Sequence, residues 1–502
     1  MAFRHRLATS DLIPLSKPKR GMQAPINILW FKRDLRLSDH LPLTQAIAAG
    51  KPLLLLYIFE PELLNDPHYS MRHWRFVWQS LEELRRKLTP LNARLHIVEA
   101  EPLSLLQKIH QQQPIANLFS YEEIGLQCTF ERDIRIKRWC EQQRIAWRES
   151  PSGAVIRGAK DRQGWQRNWD KQIRRALLPP PKNPINSAEI ALPEFSPPEA
   201  WLEASSAFQY GGEEAAHACL ESFLQQRGER YYRHISSPLL SRKSCSRLSP
   251  YLAWGNLSLA QAYQSAKQHR GSGDWERSMR AFRSRLHWHC HFIQKFESET
   301  SMQFAAINAG FAEFPWRNDE RVTQDLERWQ QGLTGVPLVD ACMRALNATG
   351  YINFRMRAML VSFLCHYLRI DWRLGAEHLA AQFLDFEPGI HYPQLQMQAG
   401  VTGIHTLRIY NPVKQAKEQQ QIEAFIRRWV PELHELPAEA LAAPWSLTPL
   451  ERQMFDTQTS YPEPVVELES AARTARDLFW GWRERETVQQ DAKRILARHV
   501  MN

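Results

Sequence analysis

Apolar residues in the first 150 positions fall into two alternating patterns. Short continuous runs typical of buried strands occur at 26–31 (INILWF), 51–60 (KPLLLLYIFE), 94–100 (RLHIVEA) and 117–123 (NLFSYEE). Between them, segments 73–88 and 102–113 place apolar residues at helical spacing. Because strands that alternate with helices favour a parallel sheet, we expect a doubly wound α/β domain over residues 25–150. No GxGxxG motif follows a strand there, so a dinucleotide fingerprint is missing.

The pattern changes after residue 150. Residues 151–212 include the proline-rich stretch 177–201, which resists regular structure because proline fixes φ and lacks a backbone donor. We expect a long interdomain linker that wraps the surface. After residue 212 only helical patterns follow, which predicts a helical domain over 213–502. Residues 1–24 are polar and basic, which predicts a disordered extension rather than a signal peptide, with Met22 as an alternative start.

One stretch of the helical part, 329–387, stands out. It predicts three helices, the first with Pro337 in its first turn and Gly350 just after its end, and the third beginning near Gly375. A buried charge is costly unless it is paired, so charged residues here need an explanation. The charged residues of this stretch line either the solvent face of a helical bundle or a polar pocket for a ligand with hydrogen-bonding edges. The residues are Arg355, Arg357, Asp371, Arg373, Asp385 and Glu387.

Composition narrows the class of protein. With 502 residues, 43% hydrophobic and 24% charged, the chain is typical of a soluble protein of two or three domains. No apolar run approaches the roughly 20 residues that span a bilayer. Seven cysteines without a CxxC pair indicate a reducing compartment, and no metal site is expected. The net charge of +10 weakly favours a polyanionic partner.

Two segments carry groups suited to chemistry. Residues 244–258 (SCSRLSPYLAWGNLS) combine hydroxyls, an arginine and a helix start, a set that binds phosphate. A capped helix with an exposed arginine is the plainer alternative. In 284–296 (SRLHWHCHFIQKF), His287 and His291 share a helical face that His289 does not. We therefore favour a role for these histidines in the wall of a polar pocket over a metal site.

Five motifs, in order along the chain, resemble the photolyase/cryptochrome family of flavoproteins. They are WFKRDLRLSDH at 30–40, CSRLSPYLAWGNLS at 245–258, GLTGVPLVDACMRALNATGY at 332–351, RIDWRLGAE at 369–377 and RIYNP at 408–412. Agreement over nearly the whole chain argues against chance. The resemblance implies FAD held in a U shape within the helical domain. It also implies an optional antenna chromophore, folate or another, in the α/β domain.

The resemblance assigns a phosphate-binding segment for the cofactor. Its residues are Cys245, Ser246, Arg247, Leu248 and Ser249. Cys245 stands where the family usually has threonine, which removes a hydroxyl but leaves the backbone donors. Tyr231, or its neighbour Tyr232, matches a flavin-contacting tyrosine.

A second group of cofactor-binding residues is implied beside the isoalloxazine ring. Arg357 and Asp385 match the family's Arg–Asp pair, and Glu387 takes the place of a second aspartate that accepts from the flavin imide. Phe386 lies between these carboxylates. His391 aligns with the position opposite flavin N5, which is often asparagine in repair enzymes.

The lesion-facing positions depart from those of the family's repair members. Trp288 matches the family's tryptophan. Arg285 stands where those members have a glutamate, three residues earlier, and His289 stands where they have an arginine, one residue later. Phe354 stands at the position where those repair members have an asparagine that faces both the flavin and the lesion. If the old contact geometry were retained, the charge reversal at Arg285 would cost specific binding, whereas Arg285 could still hold a backbone phosphate.

The chain of tryptophans that carries electrons to the flavin is also altered. Where the family has WQW, this chain has LQM at 395–397, so the flavin-proximal tryptophan is absent. Trp372 aligns with the middle tryptophan, and the outer one is missing near Ala306. Other aromatic residues could substitute, namely Tyr392, Tyr410 and Trp288.

We expect a DNA photolyase-like lyase that repairs pyrimidine dimers by light-driven electron transfer from reduced FAD. Its catalytic residues would be Trp288, His391 and Trp372. The residues that would contact DNA are Arg285, Trp288, His289 and Phe354. Arg283 and Lys295 would hold DNA phosphates. The alternative is a cryptochrome-type blue-light photoreceptor without repair activity, which the altered positions favour. A light-independent flavin-binding protein is a third hypothesis.

Further expectations concern the antenna, the compartment and the assembly. His68 resembles the region where folate-binding members place a histidine, and Glu122 or Glu123 could supply a carboxylate. A surface loop is an equally good interpretation of the segment around His68. We expect a cytoplasmic monomer with damaged DNA as its partner and no membrane association.

Overall fold

The computed structural model of the protein describes residues 24–203, 205–419, 421–455 and 461–500. The prediction of a disordered extension and the alternative start at Met22 therefore lie outside the described residues, apart from residue 24.

The α/β domain contains a five-stranded sheet whose strands are all parallel, in the order β3-β2-β1-β4-β5. The strands are β1 (Ile26–Phe31), β2 (Leu53–Phe59), β3 (Leu95–Glu99), β4 (Ile115–Tyr121) and β5 (Ala146–Ser150). The helices are α1 (Leu41–Ala48), α2 (Pro61–Leu64), α3 (Met71–Leu88), α4 (Pro102–Gln112) and α5 (Gln127–Gln143). β1 and β2 are buried along their whole length, which explains their unbroken apolar runs. The predicted doubly wound domain is confirmed.

The order of the strands reverses between β1 and β4. In such sheets the crevice outside the carboxyl ends of these two strands is the usual place for a ligand. The turn after β1 (Lys32, Arg33, Asp34) and the residues after β4 (Glu122, Glu123) meet at a cavity of about 170 Å³ there. Part of its wall comes from the helical domain, so the cavity lies between the two domains.

The linker is more ordered than its composition suggests. It contains α6 (Trp165–Arg174) and the short α7 (Glu199–Leu202), and Ser187 bridges to Leu53 beside the sheet. The buried tryptophans Trp165, Trp169 and Trp201 fix it to the domains. Between α6 and α7 the proline-rich stretch contains no helix, as its prolines predict.

Beyond residue 212 the described part of the chain contains helices and no strand. They are α8 (Glu213–Ser222), α9 (Tyr231–His234), α10 (Ser241–Ser244), α11 (Ser249–Ala253), α12 (Leu259–Gln268), α13 (Asp274–Ser298), α14 (Val322–Gln331), α15 (Pro337–Thr349), α16 (Phe354–Ser362), α17 (Trp372–Gln382), α18 (Pro388–Ala399), α19 (Pro412–Glu418), α20 (Ile422–Trp429), α21 (Pro449–Met454), α22 (Leu468–Arg483) and α23 (Glu486–His499). The 25-residue α13 packs along α18 through the centre of this domain. Helices α15 to α17 contribute much of its largest apolar core.

The predicted helices of 329–387 are present, with one correction. α15 ends at Gly350, whose φ of +69° suits glycine, and α16 continues into a π turn at Phe363–Tyr367. α17 begins at Trp372 rather than near Gly375, because the Asp371 side chain accepts a hydrogen bond from the Arg373 backbone N–H (3.0 Å) and caps the helix earlier.

Candidate cofactor-binding site

The predicted phosphate-binding segment, 245–249, joins α10 to α11 in a constrained loop. Arg247 adopts a left-handed backbone conformation (φ +61°), which is unusual for a residue with a side chain. Its guanidinium donates to Gln209 Oε1 (2.9 and 3.2 Å), and Gln209 Nε2 donates back to the Arg247 carbonyl (2.8 Å). The same guanidinium lies 3.6 Å from the ring centroid of Tyr351. Gln209 and Tyr351 thus hold the Arg247 side chain in place.

Two arginines, one in this segment and one just before it, form no ion pair with a carboxylate among the described residues. Arg242 donates to the Thr349 hydroxyl (3.0 Å) and Arg247 to the Gln209 amide, and neither forms an ion pair with a carboxylate in the part of the chain that the structure describes. Burial lowers the pKa of Arg242 to about 10 and also lowers the pKa of Arg247. A bound anion would compensate both charges.

The predicted Arg357–Asp385 pair is present. Arg357 Nη2 donates to Asp385 Oδ2 (2.8 Å) and Nε donates to the Ile352 carbonyl (3.0 Å). The guanidinium also lies 3.9 Å from the ring centroid of Phe383. Burial favours a higher pKa for Asp385, but the charge and hydrogen bond of Arg357, together with the Ser249 hydroxyl and the Arg247 charge, hold that pKa below its usual value. Asp385 Oδ1 is buried without a hydrogen-bond partner, so the ionised carboxylate keeps one free acceptor.

The two groups of predicted residues meet. The Ser249 hydroxyl and the Arg247 charge both lower the pKa of Asp385, which places 245–249 beside the ring-side pair. Tyr231 is the buried member of its pair, with Phe223 and Phe282 against its ring, whereas the Tyr232 hydroxyl binds the surface residue Asp274 (3.2 Å). The structure therefore favours Tyr231 as the inward-facing tyrosine.

Sequence analysis missed Arg33 as a residue of this region. From the turn after β1, Arg33 donates to the Phe386 carbonyl (2.6 Å) and the Ala253 carbonyl (2.9 Å) and pairs with Glu387 (3.4 Å). Its ring contact with Trp254 (4.7 Å) completes a link between the domains. The WFKRDLRLSDH motif was the available signal, but no spacing rule connects residue 33 to residue 387. Glu387 is thus already engaged, and its contact with the flavin imide stays a prediction.

His391 is held as a neutral imidazole. Its Nε2 lies 3.0 Å from the Ala376 carbonyl, an arrangement in which Nε2–H donates and Nδ1 is left as an acceptor. Burial lowers the pKa of His391 to about 3. The ring stands edge-on to Phe386 (5.2 Å) and Tyr392 (5.3 Å), which fixes its orientation.

The predicted DNA-facing residues have different surroundings. Trp288 and Phe354 are 44% and 45% exposed, and Trp288 stacks on Phe292 (5.7 Å between centroids). Arg285 is also exposed. His289 instead lines the cavity between the domains, and burial lowers its pKa to about 4, so it is neutral there.

Lys295 does not fit its predicted role of holding DNA phosphates. Its side chain is buried within the helical domain rather than facing solvent. Burial lowers the pKa of Lys295 to about 8.

The segment around His68 is a loop in which Asn65 and Pro67 are exposed, but His68 itself is buried, and its role at a folate stays a prediction. His68 is 4% exposed, its Nδ1 lies 2.6 Å from Asp66 Oδ1, and its Nε2 lies 2.5 Å from the Tyr392 hydroxyl. The burial of His68 was not predictable from its own segment, because its partner Tyr392 is more than 300 positions away in the helical domain. Glu123 is also engaged, because it accepts from Arg132 (2.6 Å).

The histidine motif on α13 shows the predicted facing. His287 and His291 both stand edge-on to Trp165, with centroids 5.1 and 6.1 Å away. No cluster of three metal-binding side chains occurs among the described residues, and the cysteines there are all free. Within the same part of the chain, each helix is too short or too polar to cross a bilayer.

Two family models match the chain. Residues 27–164 match the model described as DNA photolyase, and residues 282–481 match the model described as the FAD binding domain of DNA photolyase. Among curated relatives, a deoxyribodipyrimidine photo-lyase of Vibrio cholerae is 29% identical over 448 residues, or 84% of this chain and 93% of the relative. A cryptochrome DASH of Synechocystis sp. is 27% identical over 488 residues, or 90% and 98%.

Solved structures show the same architecture. The cryptochrome of Synechocystis sp. PCC6803 superimposes with a TM-score of 0.82 at 25% identity, over 91% of this chain and 99% of that one. A bacterial class III photolyase from Agrobacterium tumefaciens gives a TM-score of 0.80 at 24% identity, over 94% and 100%, which bears on the fold alone.

Proposed function

The chain belongs to the photolyase/cryptochrome family, and on that premise we propose that it repairs pyrimidine dimers in DNA with blue light and reduced FAD. The unmatched charge of the helical site carries the FAD part of the proposal, and the exposed ring of Trp288 supports the DNA part. Among the described residues, neither Arg242 nor Arg247 forms an ion pair with a carboxylate, and beside them Asp385 Oδ1 has no hydrogen-bond donor.

The residues present fit FAD. Arg247, Arg242 and the backbone of 245–249 would hold the diphosphate, because guanidinium groups bind phosphate oxygens well. Asp385, oriented by Arg357, would accept from the ring system. Nδ1 of the neutral His391 is an acceptor, which suits the N5–H of a reduced flavin better than the bare N5 of an oxidised one. When bound, FAD supplies the electron that light transfers to the dimer and that returns after the ring splits.

The chain's own part in repair is to position the substrate. The exposed ring of Trp288 offers a stacking surface for a base flipped out of the duplex, and Phe354 offers a second exposed ring. Arg285 is exposed and would hold a backbone phosphate, which adds affinity without selecting the lesion.

A second function, a cryptochrome-type photoreceptor without repair activity, is favoured by His289. At the position where repair members have an arginine, this chain has a neutral side chain that faces the interdomain cavity. That cavity, with Glu122 and Glu123 in its wall, is where we would place an antenna chromophore if the chain binds one.

The two functions separate in a repair assay. Purified protein with fully reduced FAD is mixed with dimer-containing DNA under blue light, and lesion disappearance is followed. We expect light-dependent repair. We also expect a loss of about 5- to 150-fold in DNA affinity for Trp288→Ala, since stacking of a base is worth about 1–3 kcal/mol.

Trp480→Ala is the matched control, because Trp480 is similarly exposed (47%) but lies on α22. It should leave repair unchanged. Reduced, stoichiometric FAD without any lesion loss would reject the repair function and leave the photoreceptor.

A further inference from the structure

Tyr392 is the centre of a buried hydrogen-bonded row of three side chains. Its hydroxyl lies 2.5 Å from His68 Nε2, and His68 Nδ1 lies 2.6 Å from Asp66 Oδ1. The His68 backbone N–H also donates to Asp66 Oδ1 (2.9 Å). With Asp66 accepting from Nδ1–H, Nε2 is the ring nitrogen left to accept from the Tyr392 O–H. A carboxylate that orients a histidine towards a hydroxyl is the arrangement of a general base.

The ring of Tyr392 also stands between the candidate flavin site and Trp372. Its centroid is 5.3 Å from that of His391 and 6.4 Å from that of Trp372, with both neighbours edge-on. Phe296 stacks on its remaining side (5.8 Å, 13°). Tyr392 is 2% exposed. The sequence places Leu395, one helical turn further along α18, where the family has its flavin-proximal tryptophan.

These contacts satisfy two separate requirements of a redox tyrosine. An oxidised phenol is a strong acid, so a tyrosine gives up an electron readily only where a base can take its proton at once. It must also lie in ring contact with groups that lead to the oxidant. A tyrosine buried for packing alone needs a single hydrogen-bond partner and has no use for a base oriented by a carboxylate.

We propose that Tyr392 is the electron donor to the light-excited oxidised flavin in this chain, with His68 as its proton acceptor and Asp66 as the residue that positions His68. In this step Tyr392 loses one electron to the flavin, and its phenolic O–H bond breaks. The proton forms a bond to His68 Nε2, and the resulting imidazolium keeps its Nδ1–H bond to Asp66. The products on the protein are a neutral tyrosyl radical and a charged His68, and the flavin has gained the one electron that Tyr392 lost.

The inference rests on the FAD site of the proposed function but does not require repair. Absorption spectra recorded before illumination show whether FAD is bound, so loss of the cofactor and loss of the electron donor are distinguishable. If FAD is bound but DNA is not repaired, the tyrosyl radical is still expected.

The test is electron paramagnetic resonance of FAD-loaded protein frozen during blue illumination without added reductant. We expect a neutral tyrosyl radical in the wild type, at least a tenfold lower yield in Tyr392→Phe and in His68→Gln, and slower formation in D₂O. Tyr263→Phe is the matched control, since Tyr263 is a half-buried tyrosine of the same domain, on α12, and it should retain the signal. A wild type with a tryptophanyl radical alone, or Tyr392→Phe with an unchanged tyrosyl signal, would overturn the proposal.

A second measurement covers the case in which Tyr392→Phe does not bind FAD. A ring-fluorinated tyrosine placed at position 392 keeps the hydrogen bond and should change the hyperfine pattern of the radical; an unchanged pattern would place the radical elsewhere. In the FAD-loaded protein kept in the dark, ¹⁵N chemical shifts of His68 should report a proton on Nδ1 and none on Nε2. A proton on Nε2 before illumination would remove the acceptor and overturn the proposal.

Discussion

Two groups of charges, one buried in the α/β domain and one half-buried in the helical domain, are built in opposite ways. In the α/β domain, Lys32 and Arg132 face three carboxylates, with Lys32–Asp133 at 2.9 Å, Arg132–Glu123 at 2.6 Å and Arg132 also bound to Glu60. In the helical domain, Arg242 and Arg247 have no carboxylate partner among the described residues, and Asp385 keeps a free oxygen.

The difference separates a structural role from a binding role. The α/β cluster has two cations against three carboxylates, so one proton balances it. The Glu60 carboxyl holds that proton, because burial raises its pKa to about 7 in spite of the nearby Arg132. The helical site has no such internal balance and requires a ligand that brings negative charge and donors. The arrangement of charge, rather than its amount, points to the cofactor.

The largest effect should come from breaking the balanced cluster. Arg132→Met leaves up to three buried carboxylates without their main cation, and removal of one partner of a buried pair costs about 3–5 kcal/mol. Denaturant unfolding of the cofactor-free protein measures the loss. Arg135→Met is the control on the same helix, since the Arg135 side chain is 47% exposed. Equal losses in the two variants would show that the cluster is not a structural unit.

Sequence analysis predicted the fold well because the fold depends on local signals. Strand–helix alternation determined the sheet, and Pro337 and Gly350 marked the ends of α15. The start of α17 was misplaced since an aspartate cap, Asp371, competes with the apolar pattern. The candidate site was predictable only where a motif carried it, as for 245–249, Arg357 and Asp385.

The remaining site residues depend on contacts that the sequence does not encode locally. Arg33 meets Glu387, and His68 meets Tyr392, across more than 300 positions and a domain boundary. Gln209, which holds Arg247, lies near the end of the linker, where no motif singled it out. Such pairings arise from the packing of one domain on another, and periodicity within a segment cannot reveal them.

A smaller effect should appear in the pH dependence of stability. The folded protein binds the Glu60 proton more tightly than the unfolded chain, because the pKa rises from 4.5 to about 7 on folding. The associated stability is fully present below pH 4.5 and is lost as the pH rises to about 7. It amounts to up to about 3 kcal/mol, since one pKa unit corresponds to about 1.4 kcal/mol.

The matched variant is Glu60→Gln, which cannot ionise but still accepts from Arg132. The difference in unfolding free energy between wild type and variant, measured from pH 4.5 to pH 8, isolates this residue. A difference that does not change with pH would show that Glu60 is ionised throughout, and that the cluster is not balanced by a proton.

The central claim is that unmatched charge in the helical domain marks the FAD site, and Arg247→Met tests it most directly. Unfolding free energy is measured with and without FAD for wild type, Arg247→Met and the exposed control Arg230→Met. We expect Arg247→Met to lose far less stability without FAD than Arg132→Met, because Arg247 is half-buried and its partners are the Gln209 amide and the Tyr351 ring rather than a carboxylate. Its FAD affinity should fall by about ten- to a hundredfold, as expected for lost hydrogen bonds to a charged group of about 1.5–3 kcal/mol. Unchanged FAD affinity, or a loss of stability without FAD as large as that of Arg132→Met, would contradict the claim.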